Sequence, residues 1–205
     1  MNSRTEKLLI AGPAGEIECA VDLPAEGQVL RGVAVICHPN PTQGGTMDNK
    51  VVQTLVRAFV QLGYRAVRFN FRGIGRSAGA WDEGRGEVDD ALAVIAHARD
   101  AALPLALAGF SFGGFVASQA ARRLEVAAER LCLVGPATSR FDTAPVPADT
   151  LVIHGEADDV VPLAAVLDWA RPQALPVTVV PGVGHFFHGQ LPLLKDIVLR
   201  GWHPA

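Results

Sequence analysis

Apolar residues in this chain follow two alternating rhythms. Short unbroken apolar runs, such as Gly32-Val33-Ala34-Val35-Ile36-Cys37, suit strands covered on both faces. Longer stretches carry apolar residues three and four apart, as in Val51, Val52, Leu55, Val56, Phe59 and Val60, and suit amphipathic helices. The first rhythm predicts strands over 32–37, 64–71, 103–108, 130–135, 150–155 and 175–180. The second predicts helices over 47–62, 87–101, 114–124, 163–171 and 191–200. Two further runs, 7–11 and 16–23, are separated by Gly12-Pro13-Ala14-Gly15 and read as an antiparallel hairpin.

A hairpin followed by repeated strand–helix units predicts an α/β fold with a mostly parallel sheet and helices on both faces. In such sheets, function gathers in the loops that follow the strand C-termini. Those loops carry His38, Arg72, Ser111, Pro136, Asp158 and His185. A serine, an acid and a histidine therefore follow one another in the order used by strand–turn–helix serine hydrolases.

Composition narrows the picture. A length of 205 residues suits one domain, 1–205, and is short for two. Apolar residues make up 49% and charged residues 19%, as in a globular chain. A net charge of −3 offers no electrostatic case for nucleic acid or an anionic membrane as partner. Cys19, Cys37 and Cys132 lie in apolar, strand-like runs and read as reduced core thiols. The N-terminal residues carry no apolar leader pattern, and no stretch of about 18 apolar residues occurs. The expected location is the cytoplasm.

The motif with chemical content is Gly109-Phe110-Ser111-Phe112-Gly113, which reads G-x-S-x-G between a strand-like and a helix-like stretch. With 21 Gly and 5 Ser in the chain, roughly 0.05 such matches arise by chance. A serine on a tight strand-to-helix turn has its hydroxyl pushed clear of the sheet. The helix N-terminus beside it offers free N–H groups to a developing oxyanion. The plain alternative is a Gly-rich turn whose serine caps the helix.

A serine hydroxyl needs an imidazole to accept its proton. Of six histidines, His97 lies within a predicted helix, His154 at the end of a strand, and His203 near the C-terminus. His38 opens the first loop. His185, in Pro181-Gly182-Val183-Gly184-His185, follows the last strand and is the best placed; His188 is the spare. The imidazole needs an orienting carboxylate, and either Asp158 or Asp159 reaches it, with Asp158 preferred. An oxyanion hole needs two backbone donors: Phe112, which follows the nucleophile, and Asn40, since Pro39 and Pro41 have no N–H.

Four segments in order resemble the α/β-hydrolase superfamily: the His38-Pro39-Asn40 loop; Phe69-Asn70-Phe71-Arg72-Gly73-Ile74-Gly75-Arg76-Ser77; Gly109 to Gly114; and His154-Gly155-Glu156-Ala157-Asp158-Asp159-Val160-Val161-Pro162 with Gly184-His185. The first loop, through Gly44-Gly45-Thr46-Met47-Asp48-Asn49-Lys50, is most similar to a small lidless bacterial group of dienelactone-hydrolase-like size with a serine nucleophile. In that group the position of Asn40 is often histidine. The resemblance implies a single-domain α/β-hydrolase fold, a Ser111–Asp158–His185 triad with Asp158 as the acid, and cleavage of an ester-like bond.

Lids in that superfamily commonly insert after the strand that ends here at Gly135. Only residues 136–149, with three prolines and few large apolar side chains, separate it from the next strand. An open, shallow site is therefore expected, suited to short acyl groups rather than long lipid chains. Gly73-Ile74-Gly75-Arg76-Ser77-Ala78 also reads G-x-G-x-x-A, a dinucleotide pattern. Gly79, Gly84 and Gly86 forbid the prompt helix that pyrophosphate binding requires. A structural turn is expected, with Arg72 or Ser77 bonded to nearby backbone.

The resulting expectation is a serine hydrolase of small or short-acyl carboxylic esters, with no cofactor or metal, an ester-like small molecule as its partner, and a monomeric or homodimeric state. Thioesterase, peptidase or acyl-transfer chemistry would use the same residues. A reading of another class is a binding or scaffold module with a vestigial triad.

Overall fold

The computed structural model describes residues 5–202; His203 and the first four residues lie outside them. The strands are β1 (Glu6–Gly12), β2 (Gly15–Asp22), β3 (Gly32–Cys37), β4 (Tyr64–Phe69), β5 (Leu105–Phe110), β6 (Arg130–Val134), β7 (Leu151–Gly155) and β8 (Val177–Val180). The helices are α1 (Lys50–Gln61), α2 (Arg85–Ala98), α3 (Phe112–Arg123), α4 (Leu163–Ala170) and α5 (Leu191–Gly201). All strands form one eight-stranded sheet in the order β1-β2-β4-β3-β5-β6-β7-β8. The hairpin pairs antiparallel, β2 meets β4 antiparallel, and every pairing from β4 through β3 to β8 is parallel. This is the single-domain α/β fold that the hydrophobic pattern predicts.

The central strands sort their side chains by size. Val33, Val35, Leu105, Leu107, Leu131 and Leu133 face the helices α2 and α3. Ala34, Ala66, Ala106, Ala108 and Cys132 face α1 and α5. Small residues on that second face leave room for the bulky Leu55, Phe59 and Trp202 of the helical layer. The rings of Phe59 and Trp202 meet edge to face at 4.9 Å. Helix α4 covers β7 with Val166 and Ala170.

Several boundaries differ from the hydrophobic pattern, and the structure gives the reason for two of them. Helix α1 starts at Lys50 rather than at 47, because the Asn49 side chain accepts from the Val51 and Val52 N–H groups and caps it. Strand β5 runs on to Phe110, because backbone pairing with β6 continues through Gly109↔Leu133 and Phe110↔Val134. Residues 135–150 join β6 to β7 with no helix or strand of their own, so no lid domain is inserted between these two strands. No helix among the described residues is long and apolar enough to cross a membrane.

The loop after β4 is a structural turn, and the next helix begins only at Arg85. The Ser77 hydroxyl donates to the Asn70 carbonyl and accepts from the Glu18 N–H. Ser77 thus makes the expected backbone bonds, while Arg72 makes a two-pronged ion pair with the Asp90 carboxylate.

Candidate active site

Ser111 stands alone between β5 and α3, with φ 56° and ψ −118°. A side-chain-bearing residue rarely holds such angles, and the cost is of order 1–3 kcal/mol. The surroundings over-determine it. The Ser111 N–H donates to the Val134 carbonyl at 2.9 Å, and its carbonyl accepts from Gly114 and Ala137. The turn closes only because its flanks lack side chains. A Cβ on Gly109 would stand 2.1 Å from the Gly113 oxygen, and one on Gly113 would stand 2.2 Å from the Cys37 oxygen. Phe112 begins α3, so its N–H has no carbonyl partner one turn earlier in the helix.

The histidine and the acid come from two loops that are tied together. Ala157 N–H donates to the Val183 carbonyl, Glu156 N–H to the Val180 carbonyl, and Gly182 N–H to the Glu156 carboxylate. Val183 and Phe187, buried in the α1/α5 core, anchor the second loop on either side of His185. His185 Nδ1 then donates to Asp158 Oδ2 at 2.7 Å. Asp158 Oδ1 accepts from Val160 and Val161 N–H groups at 2.9 and 2.7 Å. The neighbouring Asp159 is exposed and takes no part.

This pair sits beside the serine turn. The ring of Phe110, which immediately precedes Ser111, lies 4.8 Å from the His185 ring. A Cβ on Gly135 would lie 3.4 Å from His185 Nδ1 and 3.6 Å from Asp158 Oδ2, and Val134 next to it holds the Ser111 N–H. All three side chains are nearly buried, with Ser111 and Asp158 7% exposed and His185 3%. Burial, the largest influence, pushes the Asp158 carboxyl up. Hydrogen bonds from His185 and the Val161 N–H outweigh it, helped by the two nearby imidazoles, and hold the group below the ordinary carboxylate value. Asp158 is therefore an anion, acceptor-only, and the His185 proton facing it belongs on Nδ1.

The loop after β3 faces the start of α3. Asn40 uses its side chain to accept from Thr42 and cap the short 3-10 turn Pro41–Gln43. His38 holds this loop from below. Its Nε2 accepts from the Phe71 N–H at 3.1 Å, so Nδ1 carries the proton and donates to the Pro39 carbonyl at 2.6 Å. Burial lowers its pKa to about 4, against the pull of that carbonyl.

Of the other histidines, His97 and His188 are exposed and His154 is buried. The hydrophobic pattern assigned no role to His38 or His154, because their partners are a backbone amide 33 residues away and a turn on the far side of the acid. Trp81 packs on Phe112 at 5.2 Å. Its loop is shaped by the buried Glu87, which accepts from the Asp82 and Gly84 N–H groups.

A family described as serine aminopeptidase, S33, matches residues 29–148, more than half of the chain. The chain belongs to that family. A lidless α/β serine hydrolase from Xanthomonas campestris is 40% identical, covers 100% of this chain and 98% of its own, and superposes with a TM-score of 0.90. An α/β serine hydrolase homologue from Coxiella burnetii is 37% identical over 97% of both chains, with a TM-score of 0.84. An uncharacterized Rickettsia prowazekii protein is 31% identical over 170 residues, 76% of this chain and 71% of its own. This S33-type α/β serine hydrolase thus carries the family match across its serine turn, whereas Asp158 and His185 lie beyond it and rest on the geometry above.

Proposed function

We propose that this protein hydrolyses small or short-acyl carboxylic esters through an acyl-enzyme, with Ser111 as nucleophile, His185 as base and Asp158 as the orienting acid. The observation that carries the reading is the strained Ser111 turn beside the hydrogen-bonded His185–Asp158 pair. Ser111 Oγ attacks the ester carbonyl carbon while its proton passes to His185 Nε2. The carbonyl oxygen becomes an oxyanion that accepts from the backbone N–H groups of Phe112 and Asn40. Collapse breaks the ester bond, and the imidazolium returns the proton to the departing alcohol. Water repeats the sequence on the acyl-enzyme, releasing the acid and restoring Ser111. The absence of secondary structure over residues 135–150 supports short acyl groups, because no apolar cap covers a long chain.

Active-site labelling tests this reading. A fluorophosphonate probe is expected to form one adduct, on Ser111, that is lost in Ser111→Ala. No adduct on the folded protein would favour a binding module with an inactive triad. Turnover rising steeply with acyl length would count against the open, short-acyl site.

The family's description favours a second reading with the same residues, cleavage of aminoacyl amides. Aminoacyl arylamides and short aryl esters assayed side by side separate the two.

A further inference from the structure

His154, on β7, has no exposed surface and no place in the proposed chemistry. Its Nε2 lies 3.0 Å from the Val161 carbonyl oxygen and 3.6 Å from Asp158 Oδ2. A carbonyl only accepts, so Nε2 carries the proton and Nδ1 is left as a bare lone pair. That Nδ1 has no hydrogen-bond partner among the described residues. An orphaned buried polar atom is unfavourable, and an apolar side chain of this size would avoid that cost. Protonating the ring would place a charge in the core and aim an N–H where no acceptor stands. The ring is therefore held neutral in one tautomer, with the positive end of its dipole toward the turn that bears the acid.

That turn is gripped at both ends of one residue. Val161 N–H donates to Asp158 Oδ1 at 2.7 Å, and the Val161 carbonyl accepts the His154 proton. Movement of the 158–161 turn away from β7 would break the bond to His154 and swing Oδ2 off His185. At 3.6 Å the contact of His154 with Oδ2 is too long for a hydrogen bond and acts as an attraction between a dipole and a carboxylate.

We propose that His154 is a positioning residue for the triad: its Nε2–H ties the Asp158–Val161 turn to β7 and keeps the carboxylate aimed at His185. This rests on the triad reading above, so one readout must be independent of turnover. In the resting, 15N-labelled protein, the His185 Nδ1 proton facing Asp158 is followed by NMR. In His154→Leu, which fills the volume without a donor, that resonance is expected to shift or broaden away. With a short aryl ester, kcat is expected to fall at least about tenfold with KM unchanged, short of the roughly 10⁴-fold loss expected when a triad acid is neutralised. His154→Gln, which restores an N–H at similar reach, is expected to recover both signals.

A His154→Leu protein that keeps the resonance and full kcat would overturn the proposal and leave His154 as packing alone. If that variant does not fold, the unmodified protein still decides: ring 15N shifts showing the proton on Nδ1 of His154 would overturn it, and the Nε2–H form is the expected result. The NMR outcomes hold whether or not esters are the substrates, so failure of the ester reading is distinguishable from failure of this one.

Discussion

Asp158 grips His185 through one oxygen, Oδ2 to Nδ1 at 2.7 Å, while backbone N–H groups hold its other oxygen. The carboxylate is thus fixed before any substrate arrives. Replacing it with an amide keeps the shape but disturbs the imidazole's tautomer. Asp158→Asn is expected to lower kcat by about 10⁴ with little loss of fold. Asp159→Asn, altering an exposed neighbour, is expected to keep near-full activity. Ester turnover and circular dichroism on the two variants check the contrast.

His38 links acidity to stability. Burial lowers its pKa from 6.5 to about 4. The unfolded chain therefore takes up a proton near pH 6.5 and the folded chain only near pH 4. The stability this neutral ring contributes is present above pH 6.5 and lost as pH falls from 6.5 to 4, after which the loss levels off. The loss amounts to about 3 kcal/mol. His154 is shifted in the same direction by its burial and adds to the slope. His38→Gln can keep both backbone bonds without titrating, so its urea midpoint is expected to decline less between pH 6.5 and 4. Equal declines in both proteins would refute the assignment.

Gly113 is a point of contact between the start of α3 and the loop that carries Asn40. A Cβ there would meet the backbone oxygens of Cys37 at 2.2 Å and His38 at 2.7 Å, neither of which can rotate aside. Gly113→Ala is expected to cost roughly 1–3 kcal/mol in stability and to lower activity by more than tenfold, since it pushes one proposed oxyanion donor away from the other. Gly27 provides the control. Its φ is +82° and it faces open space, so Gly27→Ala should cost about 1 kcal/mol and leave turnover unchanged. Chemical unfolding and kcat measured together distinguish the two effects.

The thiols are expected to be inert. All three cysteines are buried and free, and burial pushes Cys19 and Cys132 up to about 12 and Cys37 higher still. Thiolate is the reactive form, so iodoacetamide at pH 8 should leave the native protein unlabelled. Unfolding in denaturant should expose three sites. Rapid native labelling of Cys37, just before the His38 loop, would contradict this packing.

How much of this was legible in the linear chain follows from the range of each interaction. The order of strands and helices, the parallel sheet and the serine turn are local matters, written in apolar spacing and in the glycines around Ser111. The end of β5 was not, because Gly109 and Phe110 continue the strand by pairing with β6; the start of α1 is local too, but it is set by the Asn49 side-chain cap, which apolar spacing does not register. Of two adjacent acids, the residues alone favoured Asp158 without excluding Asp159; the turn over 158–161 buries the first and exposes the second.

The sequence by itself determined the fold class and pointed to the Ser111 turn and to His185 as the ring beside Asp158, since each depends on a pattern spanning a few residues. Tertiary structure alone decided the surroundings of His38 and His154. A histidine's tautomer and charge are set by whichever groups surround the ring, and here these are the Phe71 amide and the Val161 carbonyl, supplied by other segments of the chain once the sheet has closed.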